Sequence, residues 1–234
     1  PQYIVVNSKN GKKVFKNKNF DKKKLILIPN GYDLSILKPN KIEKKNFKKE
    51  INVKTKIPLI GYVARYDPIK DHLNLLKALS IIKSKNINFF CVLVGSNINK
   101  SKKIIKELKR LNLKDHVKLF GAQMNISKVM NGIDLHVLSS LSEGFPNVVA
   151  ESMACGTPCV VTDVGDAAFI VGDNGWVLSP GDSIKLSKII EVALRDFANN
   201  KWSKKSKDAR LRIKENFDIT KMIKLFNKLW NKFN

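Results

Sequence analysis

Apolar runs of strand length alternate with amphipathic segments along most of this chain. The runs predict strands, and the segments with apolar positions at helical spacing predict helices. The predicted strands are Leu59–Val63, Phe89–Val94, Val117–Phe120, Leu135–Leu138, Cys159–Thr162 and Gly175–Leu178. The predicted helices are Lys70–Ser84, Lys100–Leu111, Asn125–Met130 and Pro146–Ala154. This alternation is typical of an α/β fold with a Rossmann-like, doubly wound parallel sheet, whose ligands bind beyond the carboxyl ends of the strands.

The two ends of the chain carry patterns outside this alternation. Tyr3 to Ser8 has the pattern of a strand running into a helix start. From Met222 to Phe233, apolar residues lie on one helical face and lysines on the other. The pattern alone leaves three roles open for this last helix: packing on the core, contact with another domain, or lying in a membrane surface.

Composition adds a strong positive charge, with a formal net charge of +24, to a hydrophobic share of 43%, which is ample for a buried core. The lysines are dispersed and accompany many asparagines and isoleucines, which favours compositional bias and a solvated surface. Attraction to an anionic membrane stays open, whereas no zinc-finger, RNP or basic-zipper pattern supports nucleic-acid binding. Cys91, Cys155 and Cys159 lack metal-ligand spacing, which indicates small buried residues in a reducing compartment.

The most informative stretch runs from Ser142 to Pro158 and contains two carboxylates, Glu143 and Glu151, eight residues apart around a helix start. Gly144 permits a close backbone approach, and Pro146 suits the first helical position. The free amides of a helix start bind phosphate well, and carboxylates accept hydrogen bonds from hydroxyls. This stretch therefore predicts a phosphate with a sugar on each side, as in a nucleotide sugar.

The same stretch resembles the E-x7-E region of retaining glycosyltransferases with the GT-B fold, in particular family 4. Other segments that resemble this family follow in its order from about residue 5 onward: Ile28–Asp33, Gly61–Arg65 with Pro68 and Lys70, Val117–Gly121, and Thr162–Trp176. The resemblance implies one half of a GT-B architecture, the C-terminal, donor-binding half of a two-domain enzyme. Residues 1–40 would be the end of the N-terminal domain and the linker, residues 41–216 the nucleotide-sugar-binding domain, and residues 217–234 a helix that crosses back toward the missing N-terminal domain.

The resemblance also implies a role for each motif residue. Arg65 and Lys70 would bind the diphosphate and stabilise its charge as it leaves, and Glu143 would contact the donor sugar, so these three are the candidate catalytic residues. Glu151 would hold the ribose. No Asp-x-Asp pair is present, so we expect no metal and no cofactor besides the donor. The other candidate donor-binding residues are Gly144, Phe145, Pro146, Asn147 and Val148 at the helix start, and Gly121, Ala122 and Gln123 at the base.

The sequence thus predicts an enzyme of cell-envelope polysaccharide synthesis that transfers a hexose or N-acetylhexosamine from a nucleoside diphosphate sugar to a glycan or lipid-linked acceptor. We expect it in the cytoplasm, with peripheral contact at the inner membrane face left open, and we expect no transfer by the chain alone. The alternatives are a free-standing domain and a non-catalytic nucleotide-sugar-binding module. Glycoside hydrolysis is disfavoured because one of the two carboxylates would lie mid-helix beside a phosphate site. His72 fits a helix cap better than a catalytic base.

Overall fold

The computed structural model describes residues 1–18, 20–53, 57–199 and 201–232. The strands, in chain order, are β1 Ile4–Val6, β2 Leu25–Leu27, β3 Leu59–Val63, β4 Phe90–Val94, β5 Val117–Phe120, β6 Leu135–Leu138, β7 Cys159–Thr162 and β8 Trp176–Leu178. The helices are α1 Lys9–Asn17, α2 Lys41–Glu50, α3 His72–Ser84, α4 Lys102–Arg110, α5 Ile126–Gly132, α6 Asn147–Ala154, α7 Ala167–Val171, α8 Ser183–Ala198, α9 Trp202–Phe217 and α10 Ile219–Trp230. Short 3-10 turns occupy Lys22–Lys24, Pro68–Lys70 and Gly172–Asn174.

Within the described residues, six parallel strands form the main sheet in the order β5-β4-β3-β6-β7-β8. The chain winds outward from β3 to β5, returns to the other side of β3, and winds outward again from β6 to β8. All residues of β3, β6 and β7 are buried, as expected when helices cover both faces of a parallel sheet. The predicted doubly wound α/β fold is confirmed.

The predicted helix starts lie one or two residues before the observed ones, and two of these differences have a clear cause. The helix predicted from Lys70 begins at His72, because Asp71 adopts a left-handed conformation (φ 47°) and its carboxylate accepts a hydrogen bond from the Asn74 amide. Asp71 is therefore the cap, and the His72 ring is buried. The other helix begins at Asn147, so that Pro146 is its extended N-cap residue rather than its first helical residue.

Residues 1–18 and 20–30 form a small unit of their own beside the main sheet. In the described residues β1 pairs in parallel with β2 as a separate two-stranded sheet, and α1 connects them. The predicted amphipathic helix is α10, whose Met222 and Phe226 line a common groove with Phe15 and Ile28 of this unit. Of the three open roles, this placement supports contact between the helix and the N-terminal unit; Phe233 lies outside the described residues.

The chain passes between the small unit and the main sheet twice at the same place. The Tyr32 amide donates to the Phe217 carbonyl (2.8 Å), and the Ile219 amide donates to the Tyr32 carbonyl (3.0 Å). A Cβ on Gly31 would lie 2.8 Å from the Ile219 Cα, so only glycine permits this approach. The two crossings are thus hydrogen-bonded to each other.

Candidate functional site

The candidate residues gather where the strand order reverses, between β3 and β6. These neighbouring strands are parallel, so their carboxyl ends open at the same edge of the sheet. β3 leads into Arg65 and β6 leads into Ser139–Glu143. This reversal is the point at which doubly wound sheets form a crevice for ligands.

An ion pair between Lys70 and Glu143 joins the two strand ends. The Lys70 Nζ lies 2.6 Å from the Glu143 Oε1, and the Ser140 hydroxyl donates to the same oxygen at 2.7 Å. The backbone holds the loops together as well, because the Leu141 amide donates to the Ile69 carbonyl at 2.8 Å. Lys70 and Glu143 were assigned to the same site from the sequence, and the structure brings them into direct contact.

Hydroxyl groups to which the sequence assigned no role of their own hold this pair in place. The buried Tyr62 hydroxyl of β3 donates to the Lys70 carbonyl, and burial raises the pKa of Tyr62, which therefore stays a donor. The Ser139 hydroxyl donates to the Asp71 carbonyl (3.0 Å), and the Thr162 hydroxyl of β7 donates to the Ser140 carbonyl (2.7 Å). Two signals in the sequence point to them: Tyr62 and Thr162 belong to the motif segments, and all three lie at or near the carboxyl end of a strand.

Arg65 lies at the same rim but outside this cluster. Its guanidinium pairs with Asp67 two residues away (3.1 Å), and its side chain is 69% exposed. The hydrogen bond that the Ile69 amide donates to the Asp67 carboxylate, together with the bond from Arg65, lowers the pKa of this carboxyl. An exposed surface pair of this kind is weak and easily exchanged.

The start of α6 opens beside Glu143. Asn147 and Val148 contribute two of its first four amides, which have no partner within the helix itself. The Asn147 side chain faces the chain crossing, where it accepts hydrogen bonds from the Asn30 amide group and the Tyr32 hydroxyl, both at 2.7 Å. The Phe145 ring is buried against the Phe217 ring, with centroids 5.8 Å apart, so only its backbone can face a ligand.

Two glycines of this region differ in what lies next to them. A Cβ on Gly144 would meet no protein atom within 4 Å. A Cβ on Gly165 (φ 56°) would lie 2.3 Å from the Glu143 carbonyl oxygen. Gly165 therefore permits the segment after β7 to pack against this loop, while Gly144 faces open space, where a ligand could approach its backbone.

Glu151 lies one turn into α6 and is partly buried. Burial raises the pKa of Glu151. The pKa of the neighbouring Tyr32 is also raised, first by burial and then by the charge of Glu151. Glu151 therefore lies close to the chain crossing as well as on the helix of the predicted phosphate site.

The residues predicted to contact the base of the nucleotide follow β5, which is an edge strand of the main sheet in the described residues. Gly121 is partly exposed, and Ala122 and Gln123 are exposed. They share the rim with the other candidates but stand two strands away from β3, roughly 10 Å at the usual spacing. This distance suits an elongated ligand whose separate chemical groups bind at different points of the rim.

Three further observations concern metal ligands, membrane-spanning helices and the histidine nearest the Lys70–Glu143 pair. Among the described residues, no group of three or more His, Cys, Asp or Glu side chains is placed to hold a metal ion. None of the helices in the described ranges is long and apolar enough to cross a membrane.

His72 lies behind Lys70 against the Tyr62 ring, and burial lowers its pKa to about 4, so the ring is neutral near pH 7.

Residues 43–210 match the family model of the glycosyl transferases group 1. This chain belongs to that family. The chain is 27% identical over 213 residues to the UDP-Gal:alpha-D-GlcNAc-diphosphoundecaprenol alpha-1,3-galactosyltransferase of Escherichia coli, covering 87% of this chain and 53% of that protein. It is also similar to the N-acetylgalactosamine-N,N'-diacetylbacillosaminyl-diphospho-undecaprenol 4-alpha-N-acetylgalactosaminyltransferase of Campylobacter jejuni. The two are 31% identical over 177 residues, which cover 75% of this chain and 45% of that protein.

Among solved structures, Anabaena Alr3699/HepE in complex with UDP and glucose superposes with a TM-score of 0.90 at 24% identity, covering 99% of this chain and 63% of that one. The chain thus has the Rossmann-like fold of one half of a GT-B architecture, as its sequence predicts. It spans about half the length of the curated relatives it matches.

Proposed function

We propose that this chain is the donor-binding half of a retaining, metal-independent glycosyltransferase of family 4. The complete enzyme transfers a hexose or N-acetylhexosamine from a nucleoside diphosphate sugar to a glycan or lipid-linked acceptor. The observation that supports this best is the Lys70–Glu143 pair, which lies at the strand reversal beside the start of α6.

The two members of this pair serve different parts of the donor. Lys70 and Ser140 both bind Oε1 of Glu143, and no described residue donates a hydrogen bond to its Oε2. Oε2 is therefore the acceptor for a hydroxyl of the donor sugar. Lys70 then lies between this carboxylate and the diphosphate, where its charge offsets the negative charge that grows on the leaving group.

The remaining donor contacts follow from the same placement. The exposed guanidinium of Arg65 leaves Asp67 and binds phosphate oxygens, since charge-assisted bonds to phosphate are stronger than an exposed pair. The amides of Asn147 and Val148 meet the phosphates and sugar, and Glu151 accepts hydrogen bonds from the ribose. Gly121, Ala122 and Gln123 meet the base through their backbone.

The acceptor side is inferred from the relatives. The E. coli and C. jejuni relatives are named for diphosphoundecaprenol substrates. A lipid-linked acceptor would hold the enzyme at the cytoplasmic face of the membrane, and the net charge of +24 would favour peripheral contact with anionic lipid. The acceptor groove lies between two domains, so this chain alone does not catalyse transfer.

Calorimetry of the chain with UDP, GDP and ADP in the presence of a chelator tests the donor site. At least one nucleotide is expected to bind, and Arg65→Ala and Lys70→Ala are each expected to weaken it by about 1.5–3 kcal/mol, because each removes a bond to an ionised phosphate. Lys188→Ala, on an exposed face of α8, removes the same charge elsewhere and serves as the control. Binding only with magnesium or manganese would exclude the metal-free site, and no binding at all would exclude the proposed function.

A further inference from the structure

Asp166 links two parts of the molecule that are far apart in the sequence. Its side chain is buried, with the residue only 2% exposed. Its Oδ2 accepts a hydrogen bond from the Lys9 amide (2.7 Å), and its Oδ1 accepts one from the Asn10 amide (3.0 Å). Both carboxylate oxygens are thus bound by the first two amides of α1.

The backbone around Asp166 packs directly on the Glu143 loop. The Asp166 amide donates to the Gly144 carbonyl at 2.9 Å. Gly165, one residue earlier, is so close to the loop that a Cβ would lie 2.4 Å from the same Gly144 oxygen. The Asn10 side chain completes the link, because its amide group donates to the Glu143 carbonyl at 3.4 Å.

The charge of the Asp166 carboxylate favours a fixed position for the N-terminus of α1. A carboxylate at a helix N-terminus meets free amides and the positive end of the helix dipole. The N-cap residue of α1 makes the usual capping bond as well, because the Ser8 hydroxyl accepts a hydrogen bond from the Gly11 amide at 2.9 Å. Because Asp166 is buried, removing it leaves two amides without their charged partner and cuts the connection between α1 and the loop.

We propose that Asp166 is a positioning residue for the donor sugar, which acts by holding the N-terminus of α1 and the Glu143–Gly144 loop in one arrangement. This role rests on the proposed function, in which Glu143 meets the sugar while Lys70 and Arg65 meet the diphosphate. It follows that loss of Asp166 weakens binding of a nucleotide sugar more than binding of the bare nucleotide.

The test compares Asp166→Asn with the wild-type chain in two measurements. Hydrogen exchange followed by NMR is expected to show the Lys9 and Asn10 amides exchanging about tenfold faster in the variant. Calorimetry is expected to show a Kd for UDP-glucose raised about fivefold, with the Kd for UDP within about twofold of wild type, since misplacing Glu143 affects only the sugar.

Two matched variants separate positioning from helix stability and from charge. Ser8→Ala removes the other cap of α1 without touching the loop, so it is expected to speed exchange at Gly11 and to leave the ratio of the two Kd values unchanged. Asp173→Asn makes the same charge change at an exposed position and is expected to alter neither measurement.

The possible results distinguish the two proposals. Equal loss of affinity for UDP and UDP-glucose in Asp166→Asn, or unchanged exchange at Lys9 and Asn10, would overturn the positioning role while leaving the donor site intact. A wild-type chain that binds none of the nucleotides and no UDP-glucose would overturn the proposed function, and the positioning role with it.

Discussion

Two lysine–carboxylate pairs lie at opposite ends of the same strand, β6. At its amino end Lys48 and Asp134 are 2.6 Å apart, with side chains 3% and 1% exposed. At its carboxyl end Lys70 and Glu143 are also 2.6 Å apart, but their side chains are 21% and 11% exposed. Distance therefore does not distinguish the pairs, whereas burial and position in the sheet do.

The partners of Asp134 all belong to the protein's own framework. Besides Lys48 it binds Lys44 at 2.6 Å, and its Oδ2 accepts the Leu59 amide at the start of β3 (2.9 Å). The Asp134 amide in turn donates to the Leu59 carbonyl at 2.7 Å. This carboxylate thus fastens the starts of the two central strands to α2.

The comparison separates a structural ion pair from one that can exchange partners. Removing one member of a buried pair leaves an uncompensated charge, which makes such a pair hard to alter without unfolding. The Lys70–Glu143 pair retains contact with solvent, so its members can turn toward a ligand. The same chemistry therefore serves stability at one end of the strand and, in our proposal, donor binding at the other.

The largest expected effect is on stability. Asp134→Ala is expected to lower the free energy of unfolding by about 3–5 kcal/mol, because Lys48 would stay buried without a counter-charge. Glu143→Gln is expected to lower it by only about 1 kcal/mol, because Lys70 can reach water. Urea denaturation of both variants measures the difference.

A double variant tests whether the stability lost in Asp134→Ala comes from the charge left without a partner. Lys48→Met with Asp134→Leu removes both charges, and most of the stability lost in Asp134→Ala is expected to return, since apolar residues often replace buried pairs at little cost. Equal losses in Asp134→Ala and Glu143→Gln would show that burial does not separate the two pairs.

The next effect concerns His136, which lies on β6 between the pairs. Burial lowers its pKa to about 3, and neither ring nitrogen has a hydrogen-bond partner among the described residues. Below about pH 6.5 the His136 ring of the unfolded chain binds a proton, whereas the ring of the folded chain stays neutral down to about pH 3. The contribution of His136 to the free energy of unfolding is therefore complete above pH 6.5 and falls as the pH drops.

The expected slope from His136 is about 1.4 kcal/mol per pH unit between pH 6 and pH 4. His72, with a pKa of about 4, adds a similar slope above that value. Urea denaturation at several pH values should therefore show a shallower decline in His136→Leu than in wild type. Parallel curves for the two proteins would mean that the ring is protonated in the folded state.

The smallest effect is expected at Lys44, the outer partner of Asp134. Its side chain is 42% exposed, so Lys44→Ala is expected to cost at most about 1 kcal/mol. Asp134 keeps Lys48 and the Leu59 amide in this variant. A loss as large as that of Asp134→Ala would place Lys44, rather than Lys48, as the partner that compensates the buried charge.

The strands of the main sheet were predictable to within a residue because both faces of a parallel sheet are buried. Continuous apolar runs such as Leu59–Val63 carry that signal directly. Helices α2, α7, α8 and α9 were not predicted. In α9 the buried residues Ala209, Ile213 and Phe217 are separated by lysines and arginines. The three-residue β2 is too short for a periodic signal.

The sequence named the residues of the candidate site but did not predict their arrangement. Glu143 and Lys70 are 73 residues apart, and they meet because β6 returns to lie beside β3. The alternation of strands and helices does not specify that order. Asp166 was part of a motif without any role of its own, because its partners Lys9 and Asn10 lie at the other end of the chain.

The paired crossings at Tyr32 and Phe217 bear on how such a chain can be recombined. Because the Tyr32 amide donates to the Phe217 carbonyl, residues 32–217 enter and leave at one spot. A segment whose ends adjoin can be transplanted as a unit, as circular permutants and inserted domains show. This segment could therefore be exchanged between related chains through two junctions made side by side, provided that Gly31 is kept.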